Sequence, residues 1–242
     1  MLRVFIQISA CLLVLGLFPL ASVSAHSWGD DGQTAFPDSA YNSFSWQTFS
    51  NSSFAGRKID LFNPDYNLLN AAIFYAVNEQ RDIKKLKPLK FSLSLRDAAV
   101  FHTEKMIELK FFNDKNKKDT LNLTPSKRVA RFGGSYKLIG ENIAKGLVMN
   151  YEENKKYTVF KQDPDYKYFF NNGKDEIEPG TYLSFAKKIV QSWMNNQQQK
   201  INLIYTPYDF MGCGVKLSNL PYKERKLPAA LVTAVFGGYI SE

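Results

Sequence analysis

Apolar residues recur at helical spacing in three stretches of the chain, which predicts three amphipathic helices. The first begins at Asn63-Pro64-Asp65, where a capping side chain precedes a proline, and it ends near residues 84–87. The second has a capping-box-like start over residues 94–97, and the third follows Thr181. The apolar positions are Leu68, Leu69, Ala72, Ile73, Ala76 and Val77; then Ala98, Phe101, Met106 and Leu109; then Phe185, Ile189, Val190 and Trp193.

Shorter apolar runs bounded by turn signals predict three strands, over residues 138–144, 211–217 and 227–239. A short helix is predicted from Thr124-Pro125 to Gly133-Gly134, because proline suits a helix start and glycine suits a helix end. Helices that flank a few strands without regular strand–helix alternation predict an α+β sandwich.

Two further segments lack clear periodicity. Residues 145 to about 180 are rich in Lys, Tyr and Asn and carry turn signals at residues 163–165 and 172–173, so we predict an inserted hairpin or a long loop. Residues 26–62 are predicted to be a linker or a loosely packed N-terminal arm before a domain over residues 63–242. The many aromatic residues of this arm indicate that part of it packs on the domain.

The first 25 residues have the pattern of a secretory signal peptide. Arg3 supplies a basic start, residues 4–20 are nearly all apolar, and small residues follow up to Ala25, after which cleavage is expected. An uncleaved membrane anchor is the alternative, and Pro19 with the small-residue end favours cleavage. The pattern predicts a secreted or periplasmic protein that is not an integral membrane protein after cleavage.

Composition adds a basic balance and a single thiol. The 242 residues include 31 basic and 23 acidic side chains, for a formal net charge of +8. Such a charge can draw the protein to anionic envelope or host surfaces, although a solvated lysine face is the favoured explanation. Basic and aromatic residues do not interleave in a nucleic-acid signature, so no nucleic-acid partner is expected. Cys11 leaves with the signal peptide, so Cys213 stands alone and is predicted to be a buried small residue.

Several short motifs occur in a fixed order between residues 66 and 239. They are Asn78-x-x-Arg81, His102 before Met106, Arg128, Gly140-Glu141-Asn142, and Trp193 followed by Asn202. Their order and spacing resemble the CAP superfamily of cysteine-rich secretory proteins, antigen five and pathogenesis-related-one, also called SCP-like extracellular domains. The resemblance implies an α-β-α sandwich with a small, mostly antiparallel sheet. It also implies that Asn78, Arg81, His102, Arg128, Asn142, Trp193 and Asn202 are structural motif residues.

The family's cavity usually gathers two histidines and one or two acids, and some members bind zinc there. Carried over by position, the first histidine falls on Asp114, eight residues after Met106, and the second on Gln199, six residues after Trp193. The acid is present as Glu141, and Asn196 occupies the fourth position. The resemblance therefore implies a degenerate cavity formed by Asp114, Glu141, Asn196 and Gln199.

This set argues against zinc and against histidine-based catalysis, because it contains no imidazole. Its oxygen ligands leave a weak site for a hard cation such as calcium as an alternative. A second alternative is that Glu141 accepts backbone hydrogen bonds and fixes the cleft floor. His102 is predicted to be a packed, hydrogen-bonded helix residue.

Three functions remain open at this point. The first is a secreted, non-catalytic module that binds a small apolar ligand or a peptide, with the aromatic insertion lining or covering the cleft. The second is a hydrolase, metal-dependent or carboxylate-based, that uses Glu141. The third is a protein that binds an envelope or host surface through its basic face and its N-terminal arm.

Overall fold

The computed structural model describes residues 36–152, 155–162, 165–171 and 173–240. These residues fall in one compact unit that extends from Gln33 to Glu242. The predicted signal peptide and its cleavage site after Ala25 lie outside the described residues, as do Pro164 and Asn172 of the two predicted turns.

The described residues form seven α-helices, six strands and two short 3-10 helices at Asp38–Asn42 and Thr120–Asn122. The α-helices are α1 Trp46–Ser50, α2 Ser53–Gly56, α3 Tyr66–Ile83, α4 Leu93–Glu108, α5 Pro125–Arg131, α6 Tyr182–Asn195 and α7 Gln197–Ile204. The strands are β1 Lys90–Phe91, β2 Leu138–Leu147, β3 Tyr157–Gln162, β4 Asp165–Phe170, β5 Phe210–Leu217 and β6 Ala229–Gly238.

Four strands form the central sheet in the order β1-β5-β6-β2. β1 pairs with β5 in parallel, while β5 with β6 and β6 with β2 are antiparallel. In the β2–β6 register Gly140 lies opposite Phe236 and Gly146 lies opposite Ala230. The predicted α+β class with a mostly antiparallel sheet is confirmed, and β2 is the edge strand opposite β1.

Alternate residues of β5 face opposite layers of the molecule. Gly212 and Gly214 lie against the backbone of α4, where an added Cβ would clash with the main chain at Arg96 and Val100. Met211, Cys213 and Val215 face the other way, into the large core that includes α3 and α6. The sheet is therefore covered by helices on both faces, and the predicted burial of the Cys213 thiol is confirmed.

The structure places two helix starts differently from the sequence pattern. α3 begins after Asp65, whose Oδ1 accepts a hydrogen bond of 2.9 Å from Leu68 N–H, so the cap is two residues later than Asn63. α4 begins after Ser92, because the Ser92 hydroxyl accepts from Leu95 N–H. Thr124 and Thr181 cap α5 and α6 as predicted.

The described part of the N-terminal arm belongs to the core. Phe36 is 1% exposed and Phe49 is fully buried. Tyr41 stacks on Phe91 with ring centroids 3.9 Å apart, and Tyr75 donates its hydroxyl proton to Ala40 O. From Phe36 onward this segment is therefore neither a free linker nor a loosely attached arm, because its aromatic rings complete the packing beside α3.

The insertion contains an antiparallel hairpin of β3 and β4. Tyr168 of β4 is 1% exposed and donates its hydroxyl proton to Glu224 O, while Tyr166 N–H donates to Tyr222 O. The hairpin is thus attached to the loop between β5 and β6. Across the described ranges, no helix has both the length and the apolar run that crossing a bilayer requires.

Candidate functional site

Glu141 lies on β2 with its side chain only 1% exposed. Arg128 of α5 is also 1% exposed, and its Nη2 lies 2.8 Å from both carboxylate oxygens. Removing a charge from water is costly unless an opposite charge accompanies it, so the two side chains are mutually required in this position. Glu141, the acid of the Gly-Glu-Asn motif, is therefore buried in an ion pair with Arg128.

Arg128 is held by main-chain carbonyls from the segment before α5. Its Nη1 donates to Asn122 O at 3.0 Å and to Leu123 O, and its Nη2 donates to Asp114 O at 3.0 Å. The 3-10 turn Thr120–Asn122 supplies one of these carbonyls. The guanidinium therefore ties the 114–123 loop and β2 together, in addition to neutralising the buried carboxylate.

His102 of α4 completes this buried cluster. Its Nε2 lies 2.9 Å from Asn113 O, a group that can only accept, so Nε2 carries the proton. Nε2 lies 3.6 Å from Glu141 Oε1, which is too long for a hydrogen bond. Burial and the nearby Arg128 charge lower the pKa of His102 to about 3, against a smaller rise from the Asn113 carbonyl. At neutral pH the buried imidazole is an uncharged donor to the loop carbonyl.

The protonation of Glu141 is governed by two opposing effects. Burial raises the pKa of this carboxyl above its ordinary value, and the Arg128 charge and hydrogen bonds lower it again. The Asp114 charge adds a smaller rise. A carboxyl with a raised pKa suits a general acid, but the Glu141 side chain is 1% exposed and both of its oxygens are bound to Arg128.

The side chains at the other three predicted cavity positions do not form a set of available ligands around Glu141. Asp114 is exposed, and its main-chain oxygen is the atom bound to Arg128. Asn196 is exposed, and its Oδ1 caps α7 by accepting from Gln198 and Gln199 N–H. Gln199 donates Nε2–H to Ile143 O at 2.9 Å. The side chains of Asn196 and Gln199 thus already have protein partners.

These residues do not fit a zinc ion. A zinc site needs nitrogen, sulfur or carboxylate ligands with free lone pairs arranged around one point. Glu141 gives both oxygens to Arg128, and Gln199 points its amide nitrogen, a non-ligand, at a carbonyl. Within the described ranges no three His, Cys, Asp or Glu side chains lie close enough to hold a metal.

The family-motif residues Asn142, Trp193 and Asn202 bind α6 and α7 to the edge of β2. Trp193 Nε1–H donates to Ile143 O at 3.2 Å, beside the Gln199 contact. Asn202 Nδ2 donates to Glu141 O at 3.2 Å and to Asn142 Oδ1 at 2.8 Å, while Asn142 Nδ2 donates to Gln199 O. The carbonyls of an edge strand are thereby satisfied by side chains instead of a further strand.

Asn78 and Arg81 of α3 bind the chain segments that lead into β1 and β5. Asn78 exchanges two hydrogen bonds with the main chain of Leu89 at 2.8 and 3.1 Å. Arg81 is 1% exposed and donates to four carbonyls, of Lys87, Leu203, Tyr205 and Tyr208. Burial lowers the pKa of Arg81. Both side chains are buried and bind main-chain groups of neighbouring segments.

A groove of about 980 Å³ lies at the other end of β2, against α6 and the start of the insertion. None of the four predicted cavity positions lines it. Its walls include Lys145, Leu147, Tyr151, Phe185, Lys187 and Lys188. In the sequence, the lysine- and tyrosine-rich composition after residue 144 was the one feature that pointed to this groove. Composition does not show that α6 forms the opposite wall.

Comparison with known structures finds three related folds. An extracellular protein containing an SCP domain, from Bacillus anthracis, is 19% identical with a TM-score of 0.46, over 72% of this chain and 42% of its own. An outer surface protein from Borrelia burgdorferi is 17% identical with a TM-score of 0.46, over 76% of this chain and 99% of its own. A cysteine-rich secretory protein from Staphylococcus aureus is 17% identical with a TM-score of 0.41, over 70% and 38%.

By name, one of these neighbours contains an SCP domain and another is a cysteine-rich secretory protein. The chain spans less than half the length of both. No family model matches the sequence, and no curated protein matches it either. The buried cluster of Glu141, Arg128 and His102 is a property of this chain's own residues.

Proposed function

We propose that this chain is an extracytoplasmic CAP-type protein that acts by binding and not by catalysis. The observation that carries the proposal is the burial of Glu141, with both of its oxygens on Arg128. A general base must reach the proton that it removes, directly or through one water. Glu141 has no such access, and its neighbour His102 is a neutral donor to a loop carbonyl.

Export is supported by two independent lines. The sequence of residues 1–25 has the pattern of a cleaved signal peptide. The three structural neighbours are named as extracellular, outer-surface or secretory proteins. We propose secretion or periplasmic residence on this basis, with cleavage after Ala25.

The alternative, a hydrolase that uses Glu141, has one physical feature in its favour. Carboxyl groups whose pKa is raised by burial occur often at active sites, and burial does raise the pKa of Glu141. The same feature also arises in structural ion pairs. The 1% exposure of the side chain favours the structural role, and no cofactor is proposed.

Native mass spectrometry of the mature protein, purified from its own host and then denatured, tests this function. We expect a retained organic ligand or peptide, or an empty protein whose partner is captured on the surface, and no stoichiometric metal. A retained metal lost in Glu141→Gln would contradict the proposal and favour the hydrolase. The matched control is Glu108→Gln on the exposed end of α4, which removes the same charge away from Arg128.

A further inference from the structure

The antiparallel ladder fixes which backbone groups of β2 point away from the sheet. Ser218 N–H donates to Ala229 O, so the odd-numbered residues of β6 bond to β5. The even-numbered residues of β6 therefore bond to β2, through Gly140, Asn142, Ala144 and Gly146 in the observed register. The N–H and C=O of Glu141, Ile143, Lys145 and Leu147 consequently face outward, as edge-strand groups.

Two outward carbonyls in the first half of β2, those of Glu141 and Ile143, are covered. Trp193 and Gln199 both donate to Ile143 O, and Asn202 donates to Glu141 O. Side chains from α6 and α7 thus occupy the place of a neighbouring strand.

The second half of β2 has no such cover. Within the described residues no side chain or loop is hydrogen-bonded to the outward main-chain groups of Lys145 or Leu147. Both residues instead line the 980 Å³ groove. An uncovered strand edge is a template for another extended chain, because its donors and acceptors are already spaced for a ladder.

The walls of the groove favour acidic side chains on that chain. Lys145, Lys187 and Lys188 line it, against a single acid, Glu152. Lys187 is also paired with Glu79 at 3.0 Å, and Lys188 Nζ donates to Tyr151 O, which holds both amines in position. Phe185 and Ile189 provide the apolar part of the wall. An added strand would meet Lys145 on one face of the sheet. On the other face it would meet α6, where Lys187 and Lys188 lie beside Phe185 and Ile189.

We propose that the Lys145–Leu147 edge is a docking site for an extended, acidic peptide segment of a partner protein, which adds to the sheet beside β2. This inference rests on the binding function proposed above and names its partner class. A fatty acid would leave the outward backbone groups unpaired. A second copy of this chain, paired β2 to β2, would bring two sets of three lysines together, which like-charge repulsion opposes.

The test uses a fluorescent hexapeptide of alternating Glu and Val, blocked at both ends, with anisotropy at low salt as the readout. A second version carries N-methyl groups on alternate residues, which removes the donors of one edge without changing charge. A third has Lys in place of Glu. We expect the acidic peptide to bind, the methylated one to bind about tenfold more weakly, since two hydrogen bonds are lost, and the Lys version not to bind.

Protein variants locate the site. Lys145→Glu combined with Lys188→Glu is expected to weaken binding by at least about tenfold. Lys137→Glu, an exposed lysine next to the opposite end of β2 and roughly 26 Å away along the strand, is the matched control and should leave affinity unchanged. The methylated peptide needs no change in the protein, so the test holds even if the double variant does not fold.

Equal binding of the methylated and unmethylated peptides would overturn the proposal, because charge alone would then explain it. Absence of binding by the acidic peptide, or equal loss in Lys137→Glu, would also overturn it. These results are distinguishable from failure of the proposed function, which would show as a retained, Glu141-dependent metal in the mass spectrum. A retained small apolar molecule with no peptide binding would keep the binding function and remove this site.

Discussion

The two ends of β2 differ in what covers their outer edge and in what surrounds their side chains. At the Glu141 end, side chains of α6 and α7 donate to the outward carbonyls, and an acid, an arginine and a histidine are buried together. At the Lys145 end, the outward groups face a groove lined by lysines and aromatic rings. One ten-residue strand thus has a sealed end and an open end.

The two ends of β2 therefore have different roles: the buried end stabilises the fold, and the exposed end is available for binding. The residues most typical of a catalytic site, Glu141 and His102, have no exposed side-chain surface beyond 1% and are committed to internal partners. The residues at the open end have ordinary surface chemistry but free access. Substitutions at the sealed end should therefore change the free energy of unfolding, and those at the open end should change binding.

The largest effect is expected for Arg128→Ala, which leaves Glu141 buried without its cation. We expect a loss of about 3–5 kcal/mol in the free energy of unfolding at pH 8, measured by urea denaturation. Arg131→Ala is the control, because Arg131 lies on the same helix and is exposed. Equal losses in the two variants would remove the distinction between the sealed cluster and the surface.

The next effect is a pH dependence from His102. Its folded pKa of about 3 lies below the unfolded value of 6.5, so its contribution to stability is present above pH 6.5 and is lost as pH falls through 3. Between pH 6 and pH 4 we expect the protein to lose roughly 2–3 kcal/mol more than His102→Gln does.

Glu141 changes the free energy of unfolding with pH in the opposite direction to His102, because burial raises its pKa. Its contribution is present below its unfolded pKa and is lost as pH rises through the folded one. Both proteins contain Glu141, so its effect cancels when the free energies of unfolding of the unchanged protein and His102→Gln are subtracted at each pH. If the two proteins lose stability in parallel, His102 is not the titrating group.

A smaller loss is expected for Asn202→Ala, which leaves the Glu141 carbonyl and the Asn142 amide without their donor. We expect about 1–3 kcal/mol by thermal or urea unfolding. Asn195→Ala, at an exposed position that lines the open groove, should cost less than about 0.5 kcal/mol. A reversed ranking would show that the edge of β2 is not held by α7.

The smallest effect on stability is expected for Lys145→Glu, within about 0.5 kcal/mol of the unchanged protein. The side chain is exposed, and its outward main-chain groups have no partner to lose within the described residues. Unfolding in urea, measured beside Lys137→Glu, checks this. A loss above about 1 kcal/mol would indicate that the open end is part of the structural core.

Local patterns predicted most of the elements but not all of their limits. Thr124 and Thr181 were identified as caps because the hydroxyl and the N–H that it accepts from lie within one turn. The start of α3 was placed too early, since Asn63, Pro64 and Asp65 together suit a helix start, and only the Asp65 contact with Leu68 decides among them.

The predicted cavity shows where position alone is insufficient. Asn196 and Gln199 were assigned to it by their distance from Trp193 along the chain. In the structure Asn196 caps α7 and Gln199 binds Ile143 O, contacts that depend on how α7 lies against β2. The aromatic arm likewise became core only because α3 provides Tyr75, on which Phe49 stacks.

Periodicity and side-chain chemistry over a few positions were enough to predict the α+β class, the buried thiol and the residues able to cap or clamp. Only the tertiary structure decided that Arg128 seals Glu141, that α6 and α7 cover one half of β2, and that the other half opens on a lysine-lined groove. Those outcomes join residues tens of positions apart, and a strand's pattern of apolar residues does not specify which of its backbone groups another element will cover.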